Sequence, residues 1–524
     1  MSEAVALPTH VLAWLKRGGW PLWLAGAAFV LFVADVVGLS RHGGLFAEDD
    51  AYYYLITARN IAATGASTFD GQSLTNGYHP LWMMILVLQQ LIVGGSLLVT
   101  FVIEAALLSG GLYLLLRRAP RVSALACVAY ALPFLAVSTT LGMRGMEFSL
   151  FVFAFAALVD VLERARSEGG GGLVIGLVAA AVVGARIDAA VFVGPLVLLA
   201  PLPLKTRLQA LGVVAGLGLV YGMANLAIFG VVTPISSTIK SLGGLQINHP
   251  LLRQMMRVFS GHSTNELYII TIVALAASPI LWLVSRRGSM GRVLAAASTL
   301  GGAAFVAKLV FASSWEIWPW YNFAAFPPFA AGLFVVSDPQ APWARFWPSS
   351  KRLEQGVGLA VLATILVWAG VGLARPFRID AGYAILNVRA VARFEPVLGG
   401  VRVAMGDRAG SFAMAYPGGV VQLEGLMNDK TYLKALKAGG DVTGLLCRRD
   451  VKFLIDYEPE LAAYDTLHVA VLAPAVTQAE GPTVTVRHSD EVGRISDPAV
   501  LDTRFTGGAP DTTLYVWRLD CPAS

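Results

Sequence analysis

The sequence predicts a polytopic α-helical membrane protein that ends in a small α/β domain, and three observations lead to this prediction. Of the 524 residues, 56% are hydrophobic and 14% are charged, and the mean hydropathy is +0.65; soluble domains carry about 25% charged residues. Apolar stretches near the length of a spanning helix recur up to residue 374. Charged and turn-forming residues return from Arg375 onward.

The first apolar stretch predicts a retained membrane helix. Lys16 and Arg17 precede it, and the stretch from Trp20 to Val37 is long enough to span a bilayer. No small-x-small cleavage pattern follows, so it does not have the form of a removable signal. The positive-inside rule then places the N-terminus in the cytoplasm and residues 39–80, the first outer loop, on the outer side.

Basic clusters between the later apolar stretches set the rest of the predicted topology. The stretch 81–116 is too long for one ordinary helix, so we expect an interfacial or oblique segment before a single crossing. The stretch 171–203 lies between cytoplasmic charges and must cross an even number of times, as two short helices with Arg186 and Asp188 at the outer turn. This gives about 11 crossings, with the C-terminal region outside.

Two domains follow: a membrane module over residues 1–374 and an extracytoplasmic tail domain over residues 375–524. The tail alternates predicted strands (Val401 to Met405, Val420 to Leu423, Val451 to Ile455) with predicted helices (Ala381 to Phe394, Lys430 to Ala438). Cys447 and Cys521 would lie there in an oxidising environment, where the two can form a disulfide.

The charge pattern excludes a nucleic-acid partner. The net charge of +5 is explained by basic cytoplasmic loops, and the chain has no RGG tract and no basic stripe interleaved with aromatics. The three cysteines make no zinc pattern. The remaining partner classes are membrane lipids and molecules at the outer face.

The first outer loop carries three adjacent carboxylates, Glu48, Asp49 and Asp50. Such a cluster beside a membrane is costly unless it is solvated, paired or used in chemistry. Crowded carboxylates also raise one another's pKa, which suits a general base. A solvated acidic loop is the simpler alternative, and the tyrosines and the arginine that follow weigh against it.

Longer patterns in this loop resemble the first loop of GT-C glycosyltransferases, closest to bacterial members near the arabinofuranosyltransferases and the protein-mannosyltransferase-like enzymes. The patterns are Asp49-Asp50-Ala51-Tyr52-Tyr53-Tyr54, Ala58-Arg59-Asn60-Ile61-Ala62, Gly65, Phe69-Asp70-Gly71 and Thr75-Asn76-Gly77-Tyr78-His79-Pro80-Leu81-Trp82. Weaker similarity follows at Gly145-Met146-Glu147, Arg186-Ile187-Asp188, Pro234 to Lys240, Trp318 to Tyr321, Gly406-Asp407 and Glu424-Gly425-Leu426.

The resemblance implies a GT-C-like fold in a bacterial inner membrane. It implies transfer of arabinofuranose, mannose or another hexose from a polyprenyl-phosphate donor to an extracytoplasmic glycan, lipid or protein acceptor, with inversion. The general base would be Asp49 or Asp50, with Asp49 preferred because Tyr53 follows at a similar spacing. The other aspartate would orient the acceptor or assist a metal. Metal dependence stays open; a divalent cation would involve Asp49, Asp50 and His79.

A phosphate leaving group needs cations, and arginine suits phosphate through its planar, permanently charged fork. Five cations on the predicted outer side break the positive-inside pattern: Arg144, Arg186, Lys240, Arg253 and Arg257. Arg186 and Lys240 are the main phosphate-binding candidates, with Arg144 and His79 as further ones. The alternatives are a salt bridge between Arg186 and Asp188 and a solvated position for Lys240.

Other polar and aromatic residues are candidates for contact with the acceptor or the sugar: Glu147, Tyr53, Asn76, Trp320 and Tyr321. Helix capping is the alternative for Glu147, and an interfacial aromatic belt is the alternative for the tryptophan and tyrosine. Asp407 and Glu424 in the tail fit a structural role better than an acceptor contact.

Two other functions compete with a transferase. A lipid or sugar transporter, or a flippase, commonly shows paired repeats and broken helices near the midplane. This sequence has no internal repeat, and its polar residues gather toward one face. A non-catalytic polysaccharide-binding scaffold is the second rival, and the intact acidic motif argues against it.

Overall fold

The structure, a computed structural model, describes residues 9–42, 46–119, 134, 145–259, 266–342, 344, 351–374, 382–457, 466–470, 482–496 and 513–521. It is mostly helical, with a small sheet region near the C-terminus, as the sequence predicts. The predicted apolar stretch 122–140 and the candidate Arg144 lie outside the described residues, apart from Phe134.

The first half of the chain is helical. Its helices are α1 (Thr9–His42), α2 (Asp49–Thr64), α3 (Pro80–Val93), α4 (Leu97–Leu116), α5 (Phe148–Glu168), α6 (Gly172–Ala185), α7 (Ala190–Leu199) and α8 (Leu204–Phe229). Local sequence explains several ends. Gly65 takes a left-handed conformation (φ 75°) that ends α2, and Pro80 begins α3, where its missing N–H costs nothing.

The second half of the membrane module continues with α9 (Ile235–Lys240), α10 (His249–Phe259), α11 (Glu266–Val284), α12 (Met290–Phe311), α13 (Phe326–Val336) and α14 (Lys351–Ala374). A 3₁₀ segment, Pro319–Ala325, leads into α13. Within the described residues, four helical segments are long and apolar enough to cross a membrane: Gly19–Arg41, Leu97–Leu116, Leu204–Phe229 and Met290–Phe311. These support membrane insertion; the total of about 11 crossings stays a prediction.

Two unusual stretches divide as the sequence predicts. The stretch 81–116 forms the short helix α3 and the longer α4, the second of which is a candidate span. The stretch 171–203 breaks at Arg186, whose backbone is extended (φ −151°, ψ 111°), and a 3₁₀ turn at Ile187–Ala189 leads into α7. Arg186 and Asp188 therefore lie at the turn between two short helices.

The tail contains α15 (Gly382–Leu398), β1 (Arg402–Met405), α16 (Ala409–Ala415), β2 (Val420–Gln422), α17 (Lys430–Ala438), α18 (Thr443–Arg448) and β3 (Val451–Asp456). It ends with β4 (Thr466–Ala470), β5 (Thr483–Arg487), β6 (Glu491–Ser496) and β7 (Thr513–Arg518). The three predicted strands and both predicted helices are confirmed within a few residues. Strands β4 to β7 and helices α16 and α18 were not predicted.

The main sheet has the strand order β2-β1-β3-β7-β6. Strand β1 pairs in parallel with β2 and β3, while β7 is antiparallel to both β3 and β6. Strands β4 and β5 form a separate antiparallel pair. Cys447 and Cys521 form a disulfide across a sequence separation of 74, which confirms the pairing that the sequence allowed. In the chain-entropy view, a loop of this size stabilises the fold by about 4 kcal/mol.

One continuous cluster of buried apolar side chains runs from the membrane helices through α2 into the tail sheet. Helix α16 packs directly on α2, so the tail covers the first outer loop. The first outer loop and the tail are therefore in direct contact, and their placement on the outer side stays a prediction.

Candidate functional site

A central cavity lies where the first outer loop, the break at Arg186, helix α9, the end of α12 and the tail meet. It encloses about 940 Å³ of space, its open mouth included. Most of the sequence-predicted site residues line it: Asp50, Tyr53, His79, Glu147, Arg186, Lys240, Trp320 and Tyr321. Asp188, Lys308, Leu426 and Met427 line it as well.

The two aspartates that begin α2 face different surroundings. Successive helical residues point about 100° apart, so Asp49 and Asp50 cannot face the same direction. Carboxylates in a first helical turn are also favoured by the positive end of the helix dipole. Both side chains are half-buried, one against the tail and the other at the cavity.

Asp49 fastens α2 to the tail. Its Oδ2 accepts a hydrogen bond from the Gly410 N–H (2.8 Å), and its Oδ1 accepts from the Ser411 N–H (2.8 Å) and the Ser411 hydroxyl (2.7 Å). A Cβ at position 410 would lie 2.3 Å from the Asp49 carbonyl oxygen, so this close approach requires glycine. Burial raises the pKa of Asp49, against the effect of these donors.

Asp50 lines the central cavity, and no described residue donates a hydrogen bond to its carboxylate. Burial raises the pKa of Asp50 to about 7; Lys240 opposes this shift, and repulsion from Asp49 adds to it. The sequence-based preference for Asp49 as the base thus finds no support in the geometry. The oxygens of Asp49 are occupied by three donors at the tail, whereas Asp50 is available at the cavity.

A buried network forms the floor of the cavity around Glu147. The Tyr54 hydroxyl donates to Glu147 Oε2 (3.2 Å), and the Arg186 guanidinium donates to Glu147 Oε1. Glu147 and Arg186 are only 1% and 2% exposed, and the guanidinium packs 4.2 Å from the Phe323 ring centre. Glu147 precedes α5 but makes no side-chain cap, so the capping alternative does not describe it.

His79 joins this network in a defined tautomer. Its Nδ1 accepts a hydrogen bond from the Ile187 N–H (3.3 Å), which assigns the proton of the neutral ring to Nε2. Nε2 lies 3.5 Å from Glu147 Oε1. Burial lowers the pKa of His79, outweighing the attraction of Glu147. The neutral imidazole is therefore a hydrogen-bond donor at the cavity floor rather than a cation.

Two lysines bring positive charge to the cavity wall. Lys240 Nζ lies 5.6 Å from the Tyr321 ring centre and 5.9 Å from that of Trp315. Burial alone would lower the pKa of Lys240, but Tyr321 and Asp50 reverse this and raise it. Lys240 therefore carries its charge at neutral pH.

The second lysine, Lys308, forms an ion pair with Asp188 and was missed by the sequence reasoning. The sequence feature that could have indicated Lys308 is a lone lysine near the end of an apolar helix. A charge at such a position is energetically costly unless it is paired or functional. The suggested salt bridge between Arg186 and Asp188 is absent, because Arg186 pairs with Glu147 and Asp188 pairs with Lys308.

Several predicted residues lie elsewhere. The Asn76 side chain is buried and accepts from the Ile235 N–H (3.0 Å), so it positions the start of α9 rather than a sugar. Arg253 and Arg257 lie on the exposed surface of α10. Arg144 lies outside the described residues.

The tail brings a further carboxyl group toward Asp50. Burial, with repulsion from Asp407 and Asp50, holds the pKa of Glu424 well above its usual range, and the Gln422 amide donates to it at 2.9 Å. Across the part of the chain that the structure describes, no group of three or more His, Cys, Asp or Glu side chains is placed to hold a metal ion. The suggested metal set is therefore not assembled there, since Asp49 binds the tail and His79 binds Ile187.

The contacts between residues 46–80 and the tail, which we call the loop–tail interface, lie beside the central cavity. Arg402 donates to Asp70 (2.7 Å), and Arg449 donates to the Ser73 hydroxyl (3.0 Å). A Cβ at Gly77 would lie 1.9 Å from the Leu426 carbonyl oxygen, so the two backbones touch beside the cavity.

A scan of the chain against models of known protein families finds no match, and a search of curated proteins finds none either. The chemistry of the site rests on its own geometry. A carboxyl group titrating near neutral pH lies in the same cavity as a charged lysine, a buried arginine and two aromatic side chains. Such a cavity is suited to accept a proton and to bind an anion.

Proposed function

We propose that this chain is a GT-C-type membrane glycosyltransferase. It moves a sugar such as arabinofuranose or mannose from a polyprenyl-phosphate donor to an extracytoplasmic glycan, lipid or protein acceptor. The observation that supports this most directly is the joint presence of Asp50 and the cationic wall of Lys240, Arg186 and Lys308 in one cavity. The resemblance of the first outer loop to GT-C enzymes supplies the reaction class.

In the proposed reaction, Asp50 is the general base. Its carboxylate accepts the proton of the acceptor hydroxyl while the hydroxyl oxygen attacks the anomeric carbon. The bond from that carbon to the phosphate oxygen breaks, and the polyprenyl phosphate leaves with the electron pair. Attack opposite the leaving group inverts the anomeric centre. A base with a pKa of about 7 holds enough of its deprotonated form near neutral pH and still binds a proton well.

Lys240 suits the leaving phosphate. It is charged, and no carboxylate forms a salt bridge with it among the described residues. The charges of Arg186 and Lys308 are already balanced by Glu147 and Asp188. Lys240 is thus the cavity cation with the most attraction left for a new anion. Trp320 and Tyr321 also line the cavity, and aromatic side chains at such a position suit contact with a sugar ring.

A second, apolar groove supports a lipid-linked donor. It lies between α11 and α13, holds about 1100 Å³ of space with the open solvent at its mouth included, and is lined by apolar side chains such as Ile270, Val273 and Phe329. The 3₁₀ segment that carries Trp320 and Tyr321 leads directly into α13, so the cavity wall continues toward this groove. An isoprenoid chain would gain stability by burying apolar surface there.

The disulfide supports the proposed location of the tail. Disulfides persist in oxidising compartments and are rare in the cytosol. Because the tail and the first outer loop are in contact, an extracytoplasmic tail carries the cavity with it to the outer face of the inner membrane.

Mass spectrometry of lipid that co-purifies with the chain, followed by a transfer assay with synthetic polyprenyl-phosphate sugars, tests the proposal. We expect a bound polyprenyl-phosphate sugar and release of polyprenyl phosphate when acceptor is added. A transporter or flippase would bind the same lipid and move it across liposomes with no release of sugar. That result, or failure to bind any such donor, would exclude the proposed function.

A further inference from the structure

Helix α10 is an amphipathic helix at the protein surface, outside the central cavity. Successive residues turn by about 100°, so its apolar side chains fill one continuous arc: Leu251, Leu252, Met255, Met256, Val258 and Phe259. The opposite arc is polar and basic, with His249, Arg253, Gln254 and Arg257. This pattern is typical of a helix that lies along a surface rather than one that crosses a membrane.

The apolar arc of α10 divides into a covered half and an uncovered half. Leu251 and Val258 are buried against the protein. Leu252, Met256 and Phe259 are 41%, 69% and 68% exposed. Just before the helix, Leu245 and Ile247 are also exposed, at 89% and 50%. Large apolar side chains in such a row indicate a surface made for an apolar partner.

The uncovered apolar row has a cationic edge. On the helix, Arg253 and His249 lie next to Met256, and all three are exposed. Arg253 forms no ion pair with a described residue, whereas Arg257 donates to Glu316 at 2.6 Å. An apolar row beside arginines complements a phospholipid surface, where acyl chains lie below a layer of phosphates.

The start of α10 is hydrogen-bonded to the end of a candidate membrane span. The N–H groups of Gln246 and Asn248, just before the helix, donate to Phe311 (3.1 Å) and Val310 (2.8 Å), which end the candidate span Met290–Phe311. Helix α11, largely apolar, begins seven residues after α10 ends. A surface helix held at the end of a span lies at the level where lipid headgroups begin.

We propose that α10 and residues 245–247 bind the phospholipid surface on the side of the central cavity. The side chains of Leu245, Leu252, Met256 and Phe259 enter the acyl region, and Arg253 reaches the lipid phosphates. This proposal does not depend on the glycosyltransferase assignment. Gln254 connects α10 to Ile317 through two hydrogen bonds (2.7 and 2.9 Å), close in sequence to Trp320 and Tyr321 of the cavity.

Fluorescent labelling of the full-length protein in nanodiscs tests the proposal. Cys127, the cysteine outside the disulfide, is replaced by Cys127→Ser. An environment-sensitive dye is attached at Met256→Cys or Phe259→Cys. A dye at Lys434→Cys, on the exposed face of α17 in the tail, is the matched control. We expect blue-shifted emission at the two α10 sites and several-fold stronger quenching by lipids with spin labels on their acyl chains than at the control.

A water-like emission on α10, with quenching by iodide as strong as at the control, would overturn the proposal. Blue-shifted emission without lipid quenching would overturn it too, because another protein chain would then cover the helix. If one labelled variant loses its monodisperse profile, Leu252→Cys gives a third position on the same row.

The arginine contribution has its own readout. Adding phosphatidylglycerol to phosphatidylcholine nanodiscs is expected to increase lipid quenching at Met256→Cys, and Arg253→Gln is expected to remove this increase. An unchanged response to phosphatidylglycerol in the Arg253→Gln background would exclude the phosphate contact.

Discussion

The loop–tail interface and the central cavity both contain residues of the first outer loop, but the carboxylates of this loop have different hydrogen-bond partners in the two places. At the interface, Asp49 accepts three hydrogen bonds from Gly410 and Ser411, and Asp70 is bonded to Arg402 and to its own turn. At the cavity, Asp50 accepts none from the described residues and has a pKa of about 7.

Asp49 and Asp70 therefore stabilise the contact with the tail, whereas the carboxylate of Asp50 keeps its hydrogen-bonding capacity for a ligand. A carboxylate with filled acceptor positions stabilises its neighbours but has little capacity left for a substrate proton. A desolvated carboxylate without donors is energetically costly, and such groups collect at functional sites. Within the proposed mechanism, Asp50 is therefore the base and Asp49 attaches α2 to the tail, and four experiments bear on this proposal.

Asp50→Asn is expected to have the largest effect. The asparagine amide cannot take the proton from the hydroxyl group of the acceptor molecule. The rate of sugar transfer should therefore fall by about 10³-fold, within the usual range for a general base. Initial rates with saturating donor measure this, and the exposed carboxylate variant Asp450→Asn is the control. A fully active Asp50→Asn enzyme would remove Asp50 from the mechanism.

Lys240→Gln is expected to have the next largest effect. Loss of a charged hydrogen bond to phosphate costs about 1.5–3 kcal/mol, so kcat/KM for the donor should fall by roughly 10- to 150-fold. Lys308→Gln removes a charge that Asp188 already balances, and its loss should be smaller. The opposite order would mean that Lys308 is the phosphate contact.

The pH profile of transfer should show the titration of Asp50. Below the pKa of about 7 the carboxyl group is protonated and cannot act as a base. The rate should then fall about tenfold for each pH unit below 7 and level off above it. In Asp50→Asn the residual rate should lack this limb; the same limb in that variant would assign it to another group.

Asp49→Ala should have the smallest effect on transfer and the clearest effect on stability. The N–H groups of Gly410 and Ser411 lose their acceptor, which costs about 1–3 kcal/mol. Thermal unfolding should shift to lower temperature, and the tail should become more sensitive to protease, while Asp50→Asn leaves both unchanged. A large loss of transfer with unaltered stability would return the role of base to Asp49.

Much of the architecture is readable from the sequence because it depends on local patterns. Cytoplasmic charges on both sides of the stretch 171–203 require an even number of crossings, which predicts the break at Arg186. Short apolar runs predict β1, β2 and β3. Strands β6 and β7 are harder to predict, because their alternating polar residues are placed only when β7 pairs with β3 and β6 pairs with β7.

The candidate site likewise has features that the sequence predicts and features that depend on distant contacts. The residue types and the loop predict where the site lies, and most candidates reach one cavity. The choice between Asp49 and Asp50 depends on the rotation of α2, which the tail sets through Ser411, 362 residues away. The partner of Arg186 is likewise a distant residue, Glu147, rather than its neighbour Asp188, because the extended backbone at the break separates the two side chains.

The contact between Asp70 and Arg402 also sets an order of events during synthesis. The two residues are 332 positions apart, and ribosomes add roughly 5–20 residues per second, so the loop waits about 17–66 s for its partner. During that interval the acidic loop lacks its contact with Arg402, and the central cavity lacks Leu426 and Met427 from its lining. The lining of the cavity is thus complete only after Met427 has been synthesised, long after the loop that carries Asp50.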